Sequence, residues 1–249
     1  MRFGADLRAT FRIFRLVGHL GLGLLLTLRY RRAGADRRDE ITRHWLAGVG
    51  RILNVQIERR GHAPSPSALW TANHVSWLDI PVLGSLIPGV RFLSKAEVAS
   101  WPLVGWLARQ AGTLFIRRGA GMAAAQEAMN TTLAQGRAVV LFPEATTTDG
   151  HQVRRFFPRL FEPAIEAEAA IQPVAIRYLD AAGDPDPAIP YIDDMTLLQS
   201  LWRIARQRAP RVRVQFCVPF RATGSRTEAA RRAEQAVREA LQDMGRSSR

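Results

Sequence analysis

The chain has 249 residues, 47% hydrophobic and 23% charged, which excludes a disordered or fibrous protein and suits one sizeable α/β domain with a substantial core. Thirty-five basic against 22 acidic residues give a net charge of +13, so polyanions are attracted, either nucleic acid or an anionic bilayer. A single cysteine, Cys217, excludes an intramolecular disulfide and points to a reducing compartment; no zinc pattern, aromatic-rich sheet or helix-turn-helix supports a nucleic-acid partner.

Leu16 to Leu28 is uncharged and apolar, with Arg8, Arg12 and Arg15 before it and Arg29, Arg31 and Arg32 after it. It falls short of the roughly 20 residues that cross a bilayer core, so a helix lying in the cytoplasmic leaflet is expected. Arg-Tyr-Arg-Arg follows Leu28 in place of a cleavage site, which argues against a signal peptide. Asp39 to Leu53 has helical spacing, with Ile41, Trp45, Val49 and Ile52 on one stripe. Residues 1–53 therefore read as an N-terminal membrane-associating helical segment and 54–249 as the catalytic domain.

In that domain Val55 to Arg59, Ala68 to Ala72, Val90 to Ser94, Thr113 to Ile116, Ala138 to Phe142, Ile171 to Arg177 and Val212 to Val218 read as strands. Helical patterns lie between them, at Leu78 to Ile87, from Trp101, at Ala123 to Leu133, Pro158 to Ala170 and Met195 to Arg208. A solvated, charge-mixed helix is expected over Arg226 to Met244, and an exposed loop over Ala181 to Pro190. The alternation predicts a single α/β domain with a mostly parallel central sheet flanked by helices, whose site lies beyond the carboxyl ends of the strands.

The chemistry concentrates in Asn73-His74-Val75-Ser76-Trp77-Leu78-Asp79, directly after a buried strand. Five residues of continuous helix turn a side chain by about 140°, so His74 and Asp79 meet only across a bend. A carboxylate at the following helix start would hold one imidazole nitrogen and leave the other to take a proton from a hydroxyl. Taken alone, the pair is equally a helix cap beside a turn histidine. Ser76 is a poor nucleophile candidate because no Gly-x-Ser-x-Gly elbow is present.

Four blocks in order carry a more specific signal: NHVSWLD at Asn73 to Asp79, GTLFIRR at Gly112 to Arg118, FPEAT at Phe142 to Thr146 and QPVAI at Gln172 to Ile176. Together they resemble the glycerophospholipid acyltransferases of the PlsC type over about Asn54 to Pro219. The resemblance implies His74 as general base and Asp79 as its orienting carboxylate. It also implies Arg118 on the acceptor's phosphate and Glu144, Ala145 and Thr146 around its glycerol part. Lys95, the lone lysine, follows a strand and joins them as a candidate substrate-binding residue. The family's glycine is Ala145 here, which is tolerable only if that position needs no positive φ. Thr147 replaces the usual arginine, and Arg117 the usual aspartate.

The expected activity is therefore a membrane-associated O-acyltransferase at the cytoplasmic face of the inner (plasma) membrane. Acyl-CoA or acyl-carrier protein is the donor and a lysophospholipid, first 1-acyl-glycerol-3-phosphate, the acceptor, with no metal or redox cofactor. Thr147-Thr148-Asp149-Gly150 also looks like the branch that acylates lyso-ornithine lipid, the alternative acceptor. The rival of another class is an inactive lipid-binding module, against which the intact His74 and Asp79 speak. Oligomeric state is not legible.

Overall fold

A computed structural model describes residues 2–30, 33–116 and 122–246. Helices α1 (Arg2–Tyr30) and α2 (Ala35–Leu53) lead into strands β1 (Gln56–Gly61) and β2 (Ala68–Ala72) and the short helix α3 (Asp79–Gly84). There follow β3 (Arg91–Lys95), α4 (Ala96–Ala99), α5 (Val104–Gln110), β4 (Leu114–Ile116), α6 (Met122–Ala134) and β5 (Val139–Leu141). The chain closes with α7 (Glu162–Glu166), β6 (Ala170–Leu179), α8 (Leu197–Arg206), β7 (Arg211–Phe216), β8 (Phe220–Arg221) and α9 (Arg226–Arg246).

The strands form one sheet in the order β1-β7-β6-β2-β5-β3-β4, with β8 against β6. Among the described strands every pair from β6 to β4 is parallel, as is β1 with β7, while β6 runs antiparallel to β7 and β8. β2 sits centrally between β5 and β6, and all five of its residues are buried. Its alternation divides two cores: Ala68, Trp70 and Ala72 face one side, Leu69 the other. The first core is closed by residues from α1, α2, α3 and α8, the second by residues from α6, α7 and α9.

Three elements depart from the sequence expectation. α1 is one continuous helix of 29 residues, about 43 Å at 1.5 Å per residue, so the apolar run is only its middle. Arg8 and Arg12 are not free membrane cations: they donate to the carbonyls of Ala205, Arg206, Gln207 and Arg208 at the carboxyl end of α8. Orphan carbonyls at a helix end favour such cations. Second, α9 is not merely solvated, because Ala229, Ala230, Ala233, Val237, Ala240, Leu241 and Met244 form a buried stripe along it. Third, the loop after β6 turns inward at Ile189 and Pro190, both buried.

α1 crosses α2 closely. His19 stacks on Trp45 at 5.3 Å, and each side chain bonds the other's carbonyl, at 2.8 and 3.0 Å. Gly48 permits this, since a Cβ there would lie 2.3 Å from the His19 ring. α2 is in turn tied to the sheet by Asp39, which is buried and accepts from Arg91 at 2.6 Å and from Arg137. The opposite side of α1 is bare: Phe3, Leu7, Phe11, Phe14, Val17, Leu22, Leu25 and Leu28 are all exposed. α1 is long and apolar enough to cross a membrane by length and composition.

Candidate active site

The site begins where β2 runs out of ladder. Asn73 is buried and replaces the next rung with its side chain, accepting from Ile176 N–H at 2.8 Å and donating to Ile176 C=O at 3.0 Å. The backbone then bends, and Asp79 at the start of α3 reaches back across the bend. Its Oδ2 accepts from the backbone N–H of Val75 (2.8 Å) and Ser76 (3.1 Å) and from His74 Nδ1 (2.7 Å). Asp79 is fully buried, whereas the His74 side chain keeps 19% of its surface exposed. A carboxylate on Nδ1 places the proton there and leaves Nε2 with its lone pair free. Nε2 has no partner among the described residues. The ring lies flat on Phe142, centroids 3.9 Å apart, so its orientation is set from both edge and face.

Glu144, at the carboxyl end of β5, fixes the backbone of the same bend. It is buried; Oε1 accepts from His74 N–H and Oε2 from Arg154 N–H, both at 2.8 Å. Burial pushes this carboxyl above the usual range, while the two N–H donors and then the charges of His74 and Arg154 pull it back. The His74 carbonyl is held as well, by Thr148 N–H at 2.8 Å and Thr148 Oγ1 at 3.3 Å. Thr147 donates to the carbonyl of Tyr191, whose own N–H donates to Val75 C=O at 2.9 Å. The bend is thus gripped from β5, from the loop that follows it and from the loop after β6.

Ala145 is exposed with φ +56, the left-handed region that favours glycine. The position does need positive φ, so the alanine is accommodated at a cost of about 1 kcal/mol. Thr146 is partly exposed beside it. Lys95 ends β3 and is exposed, with no partner among the described residues. Trp70 pairs with Val140 and Val140 with Phe92, so Lys95, three residues past Phe92, stands level with Asn73 two strands away. That is about 10 Å across the sheet. Arg118 and its neighbour Arg117 lie outside the described residues. Among those described, no group of three or more His, Cys, Asp or Glu is placed to hold a metal ion.

The family profile described as Acyltransferase matches residues 54–177, which contain His74, Asp79, Glu144 and Thr148. The chain is 47% identical over 246 residues to the lyso-ornithine lipid O-acyltransferase of Pseudomonas aeruginosa, covering 95% of each. The chain belongs to the PlsC-type acyltransferase family. A second member, the 1-acyl-sn-glycerol-3-phosphate acyltransferase of Neisseria meningitidis, is 38% identical over 176 residues, 69% of this chain and 68% of that one. The crystal structure of the 1-acyl-sn-glycerophosphate (LPA) acyltransferase PlsC from Thermotoga maritima matches the fold with a TM-score of 0.74, over 98% of both chains at 18% identity.

For this acyltransferase, sequence reasoning missed Tyr178, whose hydroxyl donates to Asp79 Oδ1 at 2.7 Å. The signal was available: Val174, Ile176 and Tyr178 alternate on the buried face of β6, and a phenol there must find a polar partner. Phe142 under the imidazole and Thr148 on its carbonyl were also missed, because both contacts cross between strands.

Proposed function

We propose that this acyltransferase esterifies a lyso-lipid hydroxyl at the membrane surface and that its acceptor is lyso-ornithine lipid. One observation carries the acceptor assignment: similarity to the P. aeruginosa lyso-ornithine enzyme runs through 95% of the chain, beyond the 54–177 core, while that to the Neisseria enzyme covers 69%. The loop after β5 supports it. Where the family's phosphate acyltransferases carry an arginine, Thr147 spends its hydroxyl on Tyr191 C=O. Further along, Asp149 and Arg154 are both exposed. An ornithine head group bears one carboxylate and one ammonium, and a loop offering both charge signs suits it better than a phosphate. The second reading, lysophosphatidate, rests on the Neisseria relative and on Arg118 and Lys95.

In the proposed reaction His74 Nε2 takes the acceptor's hydroxyl proton while the oxygen attacks the thioester carbonyl. The C–O bond forms, the C–S bond breaks, and the imidazolium returns the proton to the leaving thiolate. Asp79 holds the tautomer and stabilises the imidazolium; such a base contributes about 10² to 10⁴ in rate. The thioester is acyl-CoA or acyl-carrier protein, and no metal or redox cofactor takes part.

Membrane association is assigned to the exposed apolar face of α1. The docking of the other face on α8 through Arg8 and Arg12 supports a proposed placement of the helix along the cytoplasmic leaflet of the inner membrane over a crossing. Purified protein offered radiolabelled acyl donor with lyso-ornithine lipid and lysophosphatidate in parallel tests the reading. The ornithine lipid is labelled and His74→Ala abolishes the label. Exclusive labelling of phosphatidate overturns the acceptor assignment, and full activity in His74→Ala overturns the base.

A further inference from the structure

Asp79 is fully buried, and its two oxygens are supplied very unequally. Oδ2 takes three donors from the bend itself: His74 Nδ1, Val75 N–H and Ser76 N–H. Oδ1 takes one, the Tyr178 hydroxyl at 2.7 Å, from a strand 99 residues away in the chain. The phenol is a donor here and nothing else. Burial first, then the neighbouring carboxylate, push Tyr178 well above its ordinary value, so it keeps its proton at any working pH.

We infer that Tyr178 is a positioning residue that tunes how tightly the His74–Asp79 pair holds a proton. The inference rests on the proposed role of that pair. An ionised carboxylate inside a protein needs donors on both oxygens, because one left bare faces a desolvation penalty that water no longer relieves. Tyr178 supplies the missing donor and so favours the form in which Asp79 is charged and His74 neutral, the form ready to take a proton. Without it, that form loses a charge-assisted hydrogen bond. With one more proton the pair is an imidazolium facing the carboxylate, and an Oδ1 that no longer shares its charge with the phenol leaves more negative charge on Oδ2 to hold that imidazolium. The pair then binds its proton more tightly, and the pH at which the base becomes free rises.

The geometry separates this role from general packing. Tyr178 shares the first core with Trp70, Val174 and Ile176, so its ring is an ordinary core side chain; only the hydroxyl is specific. The other titratable groups around the pair are differently engaged. Glu144 faces the His74 backbone and Arg154 stands beyond it; Lys95 of β3 is exposed at the rim. Asp186, whose N–H bonds Tyr178 C=O, turns its carboxylate to Gln207, and Arg12 of α1 is held by α8 carbonyls. None of these side chains bonds Asp79 or the imidazole.

The test is the pH–rate profile of the full-length enzyme in mixed micelles, for wild type, Tyr178→Phe and protein carrying a fluorinated, more acidic tyrosine at 178. Tyr178→Phe moves the acid limb of kcat/KM up by about half to one pH unit, a fraction of the worth of a hydrogen bond to a charged group because the bond is lost from both protonation states. KM stays within about twofold. The fluorinated phenol, a stronger donor of nearly the same shape, moves the limb down and keeps the assay available should the Phe variant fold poorly. A limb that moves in neither variant, with plateau rate and melting temperature alone affected, overturns the inference. His74→Ala serves as the control: if it stays active the base assignment fails, whereas an inactive His74→Ala with an unmoved limb sinks only the role of Tyr178.

Discussion

Two sides of the same sheet edge are built differently. On the bend after β2, the groups around the imidazole are paired while its Nε2 is left open: both oxygens of Asp79, both oxygens of Glu144, and the carbonyl and N–H of His74 have partners. On the rim, Lys95, Ala145, Asp149, Arg154 and Arg155 are exposed. The buried side holds one geometry because any loosened partner would leave a desolvated charge. The rim can change without that penalty. This separates the reaction, assigned to the gripped bend, from the choice of acceptor, assigned to the loop.

Substitutions that break the grip should act on turnover, and those on the rim on acceptor affinity. The largest effect is expected for Asp79→Asn, whose amide donates to Nδ1 and forces the proton onto Nε2. Turnover should fall about 10³- to 10⁴-fold with KM little changed, read by steady-state kinetics. Next, Glu144→Gln offers one acceptor where two backbone N–H groups point. A loss of about 1–3 kcal/mol in denaturant stability is expected, with turnover down about tenfold or more. If Glu144 instead touches the acceptor, KM rises while stability holds. Arg154→Ala should raise KM for lyso-ornithine lipid several-fold and leave turnover within about twofold, as a rim contact does.

Smaller effects sharpen the contrast. Ala145→Gly relieves the φ of +56 and should stabilise the fold by about 0.5–1 kcal/mol, or some 2 °C in melting temperature by calorimetry. Away from both regions, burial and then Glu239 push the Cys217 thiol up to about 11. Its alkylation should be slow at pH 8 and rise with thiolate fraction until about that value, with no effect on acyl transfer.

Much of the site was legible because its signals are local. His74 and Asp79 are five residues apart, and a strand-bend-helix pattern is enough to bring them together; Glu144 follows directly on an apolar strand. What each group touches was less legible. Glu144 was expected near the acceptor's glycerol part, yet both its oxygens lie on backbone N–H groups brought by separate segments. Ala145 resembled a permissive exchange, and only its φ shows that the glycine conformation persists. The arginines before the apolar run of α1 had no partner in any local pattern, yet two of them cap α8, which begins nearly 190 residues later.

By itself the sequence determined the alternating strands and helices, the order of the four blocks, the apolar N-terminal helix and the meeting of His74 with Asp79. These follow from hydrophobic period, turn residues and short spacings, all properties of neighbouring residues. Tertiary structure alone decided that Tyr178 completes Asp79, that Phe142 backs the imidazole, and that the end of β5 and two loops lock the bend. Those contacts join β2, β5 and β6, and pairing between strands depends on which faces bury one another, a quantity no local pattern contains.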